Sequence, residues 1–446
     1  MSETLKRYLR YTSWPILLAM LGLIFLGIQA IRVSEHADGL EGYSSRQAIY
    51  AVVGLVAFFG MTLIPYHKFG QGAYLLYGLT IVLLVAVLRL PAVRQTHRWI
   101  DLGFFPVQVS EIAKISFILM LAWYLRNREN YRHVPGLIVP FILTLLPMGL
   151  VLIEPDLGTS LLFLPTLYFM LFMAGAKIRH LLIILGLGLT VVLVPWPRSV
   201  DPAAFAKDKD HFVTSKLGPV TLYSVDPKVD ASQRPDMPVA YCRYQWGSGA
   251  IRDLQPLSLR VLHDHQRVRI EAWLRPDDPY MLKHGGFQVH QSKMILGAGS
   301  WTGRSGWNDG QAFFSLLPED HTDFILAVVG GQWGLVGCVG MLLLYAVIFV
   351  MGVEIAVITD DAFGRLLAVG VLALLFTQLV VNAGMAMGLM PVTGMTLPFI
   401  SNGGSSLIIN CAALGMLVNV GQHRPIRMGP KPFEYNEPRE RPSLMD

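Results

Sequence analysis

The sequence predicts an all-α polytopic membrane protein of about ten transmembrane helices, with a long outward loop between the seventh and the eighth. Three observations predict it. Of 446 residues, 53% are hydrophobic and only 15% charged, and the mean hydropathy of +0.47 lies outside the range of soluble domains. Apolar runs of roughly 20 residues, the length that crosses a bilayer as helix, recur along the chain. Lys and Arg are also shared unevenly between the two sets of short connections, which sets an orientation.

The ten runs are 13–32, 46–65, 69–89, 107–126, 135–153, 158–175, 179–197, 324–351, 365–388 and 405–421. The segment from Met1 to Arg10 is basic, but the run after it is a full span with no small-residue cleavage site. It reads as a retained first helix rather than a signal peptide. Leaving the long loop aside, one set of connections and termini holds fifteen Lys and Arg, and the other five. Both termini are therefore expected in the cytoplasm, with the loop at 198–323, the turn Glu154–Leu157 and the connection Leu389–Gly404 outside. The chain divides into 1–197 (helices 1–7), 198–323 (outer loop), 324–421 (helices 8–10) and 422–446, a Pro-, Arg- and Glu-rich tail expected to be disordered. Cys338 and Cys411 lie in spans and Cys242 stands alone in the loop, so neither a disulfide framework nor a metal spacing is present. The net charge of +5 is modest, and no nucleic-acid partner is expected.

The long loop has two parts. Residues 198–262 are Pro- and Asp-rich with β-like patches at Val220–Val225 and Val239–Trp246, as in a small folded insert or a partner surface. Residues 263–323 gather nearly every polar type that chemistry needs. Arg267 and Arg269 come first, then Asp277 and Asp278 between Pro276 and Pro279. A Gly-rich run follows with Gln288, Gln291, Ser292 and Lys293, and Glu319, His321 and Asp323 close the segment. Its length, its Trp and Phe content and its glycines mark a shaped site rather than a solvated connection.

Ionisable groups within spans are costly and face a cavity or a partner. Glu111 and Lys114 sit three apart on one helical face, which fits a mutual ion pair and equally a polar groove. Asp156 opens the sixth helix, where a carboxylate caps free N–H groups; a chemical role is compatible with that cap. Asn382, with Gly384 and Gly388, fits close helix packing. From Met390 to Ser406 two prolines, three glycines and five hydroxyl residues make irregular backbone at or near membrane depth, tolerated where it is buried in protein or lines a cavity. Ser401, Gly403, Gly404 and Ser405 there read either as a tight re-entrant turn or as free N–H groups offered to an anion.

Four motifs then carry a family resemblance. His97–Gly103 with Gln108–Lys114, the turn Glu154–Thr159, Gln291–Lys293 with Pro318–Ile325, and Met390–Ser406 together resemble the SEDS family of rod-shape and division proteins, in order and over most of the chain. The Gln-Ser-Lys run is closer to the RodA branch than to FtsW. The resemblance implies a peptidoglycan glycosyltransferase that polymerises lipid II at the outer face of the bacterial cytoplasmic membrane, serving cell-wall elongation and shape. It implies a class B penicillin-binding transpeptidase as partner, and an essential acidic residue before a proline, which maps onto Asp278 after Gln266, Arg269 and Ile270. The sequence departs from the family at Val109, Asn402 and Gly331-Gln332, and in the length of its insert.

Polymerising a lipid-linked sugar needs a base for the incoming hydroxyl, positive charge at the departing pyrophosphate and an apolar groove for the tail. Asp278 is read as the base, with Asp277 the alternative. Arg267, Arg269 and Lys293 are read as pyrophosphate contacts, and Lys114 as a weaker one. Gln291, Ser292, Glu111, Asp156, His321, Asp323, Ser401, Gly403, Gly404 and Ser405 complete the candidate substrate site. His284, His290 and His321 match no zinc spacing and read as structural or hydrogen-bonding groups. A divalent cation on the pyrophosphate is compatible with this chemistry, but no ligand set for one is readable. A precursor flippase would also use many spans, intramembrane charge and broken helices. The absence of an inverted repeat and the placement of the acidic residues outside the midplane favour the enzyme, and the carboxylate–arginine cluster argues against a mere scaffold.

Overall fold

The computed structural model describes residues 12–38, 42–89, 99–101, 106–127, 133–193, 195–199, 212–225, 242–246, 251–256, 264–274, 276, 282, 285–303 and 322–423. Its helices are α1 (Trp14–Asp38), α2 (Tyr43–Leu63), the short α3 (Tyr66–Gln71), α4 (Ala73–Val87), α5 (Val109–Leu125), α6 (Val134–Ile153), α7 (Leu157–Met173), α8 (Ile178–Leu193), α9 (Asp264–Leu274), α10 (Phe287–Ala298), α11 (Ile325–Ile358), α12 (Ala362–Ala386) and α13 (Gly404–Gln422). Each apolar run of the sequence contains a helix, but the run at 179–197 ends in strand from Pro195 and the run at 107–126 begins in strand up to Gln108. Six helices (α1, α2, α6, α11, α12 and α13) are long and apolar enough to cross a membrane, and α4, α7 and α8 are shorter apolar helices. The protein is an integral membrane protein.

The core is formed by α5, α12 and α13, the last two buried over most of their length. The peripheral helices instead turn large apolar side chains outward, such as Val56, Leu75 and Leu187. Outside a bilayer that surface would be an unpaid exposure; within one it is ordinary lipid contact. α13 lies along α2, α11 along α1, and α12 along α7. The α2–α13 contact is close because residue 415 is glycine: a Cβ there would lie 2.5 Å from the Phe58 carbonyl oxygen. Asn419 of α13 gives its Nδ2 to the carbonyls of Met61, Thr62 and Ile64 at 2.7, 3.0 and 2.7 Å, satisfying the orphan acceptors at the end of α2.

Two spans are interrupted within their length. The run at 69–89 is interrupted at Gly72, which ends α3 before α4 begins. The run at 324–351 belongs to α11, which extends to Ile358 but is broken at Gly334 (φ 64°, ψ −157°). The cause lies elsewhere in the chain: the segment after α10 enters the break, and the N–H groups of Leu335 and Val336 donate to the carbonyls of Ser300 and Trp301 at 2.9 and 3.1 Å. A Cβ on Gly334 would meet the backbone nitrogen of Gly303 at 2.3 Å, so only glycine fits.

The helical body carries two sheets. Strands β1 (Trp99–Asp101) and β2 (Pro106–Gln108) pair antiparallel just before α5. In the insert, whose first strand begins three residues before the expected boundary at 198, β3 (Pro195–Ser199), β4 (Phe212–Leu217), β5 (Val220–Val225), β6 (Cys242–Trp246) and β7 (Ile251–Pro256) form one antiparallel sheet in the order β3-β7-β6-β5-β4. Strand β5 coincides with the first β-like patch, and β6 with the described part of the second. Pairing of Pro195 with Pro256 and Ser199 with Arg252 brings the start and end of the insert together. The insert is thus closed at its base, directly after α8.

Candidate active site

The floor of the site is the connection between α12 and α13. It carries three residues in the left-handed region, Gly388 (φ 76°), Gly394 (φ 73°) and Phe399 (φ 66°). Its polar backbone is hydrogen-bonded from within the protein, as buried backbone requires. The N–H groups of Leu389 and Met390 share the Gly384 carbonyl at 2.7 and 3.2 Å, Leu397 N–H donates to Ser401 Oγ at 2.8 Å, and the Tyr345 hydroxyl donates to the Pro398 carbonyl. Gln47 clamps the far end, donating to Ser401 O at 3.0 Å and accepting from Gly403 N–H at 3.4 Å. Ser405 Oγ accepts from Gln108 N–H at 3.3 Å, and the ring of Tyr50 covers Gly404. The Gly403 N–H is therefore already used, by Gln47 of α2.

One wall is the turn that opens α7. Asp156 is buried, and its carboxylate accepts from four donors: Thr159 N–H at 3.1 Å on Oδ1, and Gln108 Nε2 (2.8 Å), Ser110 Oγ (3.1 Å) and Thr159 Oγ1 (2.8 Å) on Oδ2. It caps α7 and fastens the start of α5 to it. Gly158 lies against the floor, where a Cβ would stand 2.8 Å from Thr393 O. Glu111 and Lys114, both buried, form an ion pair at 2.8 Å on α5.

The opposite wall comes from α9 and α10. Gln266 donates to Pro155 O at 3.1 Å and docks α9 on the α7 turn. Ser292 on α10 is buried and donates to Ala386 O at 2.8 Å, tying α10 to the end of α12. Between them lies an open-mouthed pocket lined by Arg269, Trp273, Pro276, His290, Lys293 and Gly388, among others. The Lys293 ammonium lies over Gly388, where a Cβ would approach Nζ to 3.3 Å. Arg269 Nη1 and Asp323 Oδ2 converge above Gly394, 3.8 and 3.5 Å from where its Cβ would stand. Three charged side chains from α9, α10 and the turn before α11 thus meet the same irregular loop.

Of the residues expected in the site, Arg269 and Lys293 line the same pocket, and Arg269 and Asp323 converge above Gly394. Ser292, Asp156 and Ser401 are structural hydrogen-bonding groups that tie the elements of the site to one another, and Gln291 is half-buried on α10. Arg267 lies on α9, with its side chain outside the described residues; Asp277, Asp278 and His321 lie outside them altogether. Pro276, which immediately precedes the two aspartates, lines the pocket. Among the described residues no three His, Cys, Asp or Glu side chains gather to hold a metal. Sequence reading missed Gln108, Ser110 and the Thr159 hydroxyl as partners of Asp156, Trp273 as a pocket wall, and the reach of Asn382, which bridges two backbone carbonyls. A polar amide inside an apolar helix was the signal for the last.

Comparison with known proteins closes the question of kinship. Residues 10–205 and 248–425 match the family model for FtsW, RodA and SpoVE, described as a cell cycle protein. The chain belongs to this family. The residues the match passes over, 206–247, fall inside the sheet-forming insert. The peptidoglycan glycosyltransferase RodA of Treponema pallidum is 31% identical over 425 residues, covering 92% of this chain and 97% of that protein. The peptidoglycan glycosyltransferase MrdB of Escherichia coli K12 is 32% identical over 423 residues, covering 94% and 95%. Among solved structures, a chain of a peptidoglycan synthase complex described as coordinating polymerization and crosslinking aligns with a TM-score of 0.66 at 26% identity, covering 93% of this chain and 99% of that one. The rod-shape-determining protein RodA of Thermus thermophilus aligns at 0.58 and 25% identity, covering 93% and 97%.

Proposed function

We propose that the protein polymerises lipid II into glycan strands at the outer face of the bacterial cytoplasmic membrane, for cell-wall elongation and cell shape. Family membership makes it a peptidoglycan glycosyltransferase. The observation that carries the finer reading is that Arg269 and Lys293, from separate helices, line one pocket against the irregular connection, while Asp323 converges with Arg269 above Gly394 of the same connection. Such a pocket has cations for a pyrophosphate and an aromatic wall for the rest of the head group.

In this reading Asp278, or its neighbour Asp277, takes the proton from the acceptor sugar hydroxyl. The hydroxyl oxygen attacks the anomeric carbon of the donor, the carbon–oxygen bond to the pyrophosphate breaks, and the bonding pair leaves with the pyrophosphate. Arg269, Lys293 and Arg267 hold the charge that develops there, the guanidinium fork matching phosphate oxygens. Attack opposite an α-linked diphosphate inverts the anomeric centre. The Lys and Arg bias of the connections supports cytoplasmic termini and an outward site. A single-span class B penicillin-binding transpeptidase is the partner this product calls for, since the strands must then be cross-linked.

Purified protein incubated with labelled lipid II, without another polymerase, tests the reading. Glycan polymer is expected. Movement of lipid II across the bilayer without polymer would make the protein a flippase, and neither activity with the transpeptidase present would leave a scaffold.

A further inference from the structure

The floor of the site and the turn before α11 are gripped by one side chain. Asn382 on α12 is fully buried, and its Nδ2 donates to two backbone carbonyls, Asp323 O at 2.9 Å and Met395 O at 2.6 Å. Asp323 carries the carboxylate that stands over Gly394, and Met395 follows Gly394 in the chain. The amide therefore fixes the backbone on both sides of the space where the Asp323 carboxylate and the Arg269 guanidinium converge. Asn382 Oδ1 is buried without a hydrogen-bond partner among the described residues. An apolar side chain would avoid that orphan acceptor but would leave two carbonyls without a donor. An amide inside an apolar span, kept for its two hydrogens, belongs to a place where backbone position matters more than burial.

We propose that Asn382 is a positioning residue: it acts through Asp323 by holding its carboxylate in register with Arg269 above Gly394. This rests on the polymerase reading above, and names a residue that the chemistry itself does not touch. Neither His321 nor the acidic pair is needed for it. Displacement of a site group by about 1 Å typically costs on the order of 10²-fold in rate, so Asn382→Leu is expected to lower kcat by about that factor with a smaller change in KM. Asn382→Ser, which keeps one donor, is expected to recover part of the loss.

A double-mutant cycle with Asp323→Asn separates positioning from mere stability. If Asn382 acts through Asp323, Asn382→Leu adds little to the loss already caused by Asp323→Asn, measured on protein with unchanged elution and lipid II binding. Fully multiplicative losses, or loss that tracks a lowered Tm, would make Asn382 a structural residue and overturn the proposal. A wild-type rate in Asn382→Leu would overturn it as well, while leaving the polymerase reading intact. No polymer from the unsubstituted protein, alone or with its transpeptidase, would instead remove the polymerase reading and this proposal with it.

Discussion

Gln266 on α9 donates its side-chain amide to the backbone carbonyl of Pro155 at 3.1 Å, across 111 residues of sequence. The bond joins the helix that carries Arg269 to the turn whose Asp156 fastens α5 and α7. It ties the wall formed by α9 to the wall formed by the α7 turn. Gln266→Leu keeps the volume and removes the donor, at a cost of about 1 kcal/mol for a neutral hydrogen bond. The expected outcome is a roughly 5-fold lower polymerisation rate, the equivalent of that energy in an equilibrium of docking. Thermal unfolding in detergent should barely move. An unchanged rate would show that α9 is docked by its other contacts.

The buried pair on α5 gives a second prediction. Glu111 and Lys114 are 2.8 Å apart with side chains 6% and 2% exposed. Removing one partner strands a charge, and Glu111→Gln or Lys114→Met alone should cost about 3–5 kcal/mol. The double replacement Glu111→Leu with Lys114→Met should recover most of that, because a buried pair and an apolar pair of similar volume are often close in stability. Differential thermal unfolding of the three variants decides this. A double variant that is stable yet makes no polymer would show the pair to be part of a substrate groove rather than a structural bridge.

How much was readable in advance depended on how local the cause was. The ten apolar runs are set by composition over about 20 residues, and each of them holds a helix. The cap at Asp156 was readable because Thr159 lies three residues away. Asn382 read only as a helix-packing group, because its carbonyl partners are 59 and 13 residues distant. The break at Gly334 was hidden for the same reason: its cause is backbone from residues 300–303, and a glycine in an apolar run has no signature of its own. In the insert, β5 announced itself through the alternation in Val220–Val225, while β3, with two prolines in five residues, reads as anything but a strand. The gathering of Arg269, Lys293 and Asp323 followed from the family motifs, but their shared neighbour, the Gly388–Gly394 floor, needed three dimensions.

The insert supplies a third prediction. Residues 206–247 lie outside the family match, and β3 pairs with β7 across the base of the sheet. Replacing 206–247 with a short Gly/Ser linker should leave that base able to close and polymerisation within a few-fold of normal, since loop length changes closure entropy only slowly. Partner binding or stability is where a change is expected. Complete loss of polymer from a well-expressed deletion, with the transpeptidase present, would show that the sheet contributes to the chemistry.

The remaining prediction concerns the base. Asp278→Asn preserves size and hydrogen-bonding shape but cannot accept the proton, so turnover should fall by about 10²–10⁴-fold, the usual worth of a positioned general base. Folding and lipid II binding should persist, because the pyrophosphate contacts come from Arg269 and Lys293, which the change does not reach. Asp277→Asn should cost much less, since adjacent side chains in a Pro-flanked segment are expected to point in different directions. If Asp278 merely capped a turn, asparagine would serve as well as aspartate and activity would survive. One conservative substitution therefore has opposite outcomes for a catalytic and a turn-forming carboxylate, read from the length of labelled glycan chains on a gel. Near-normal polymer from Asp278→Asn with loss in Asp277→Asn would move the base by one residue. Normal polymer from both would remove the acidic pair from the reaction and leave Asp323, held by Asn382 beside Arg269, as the carboxylate to test next.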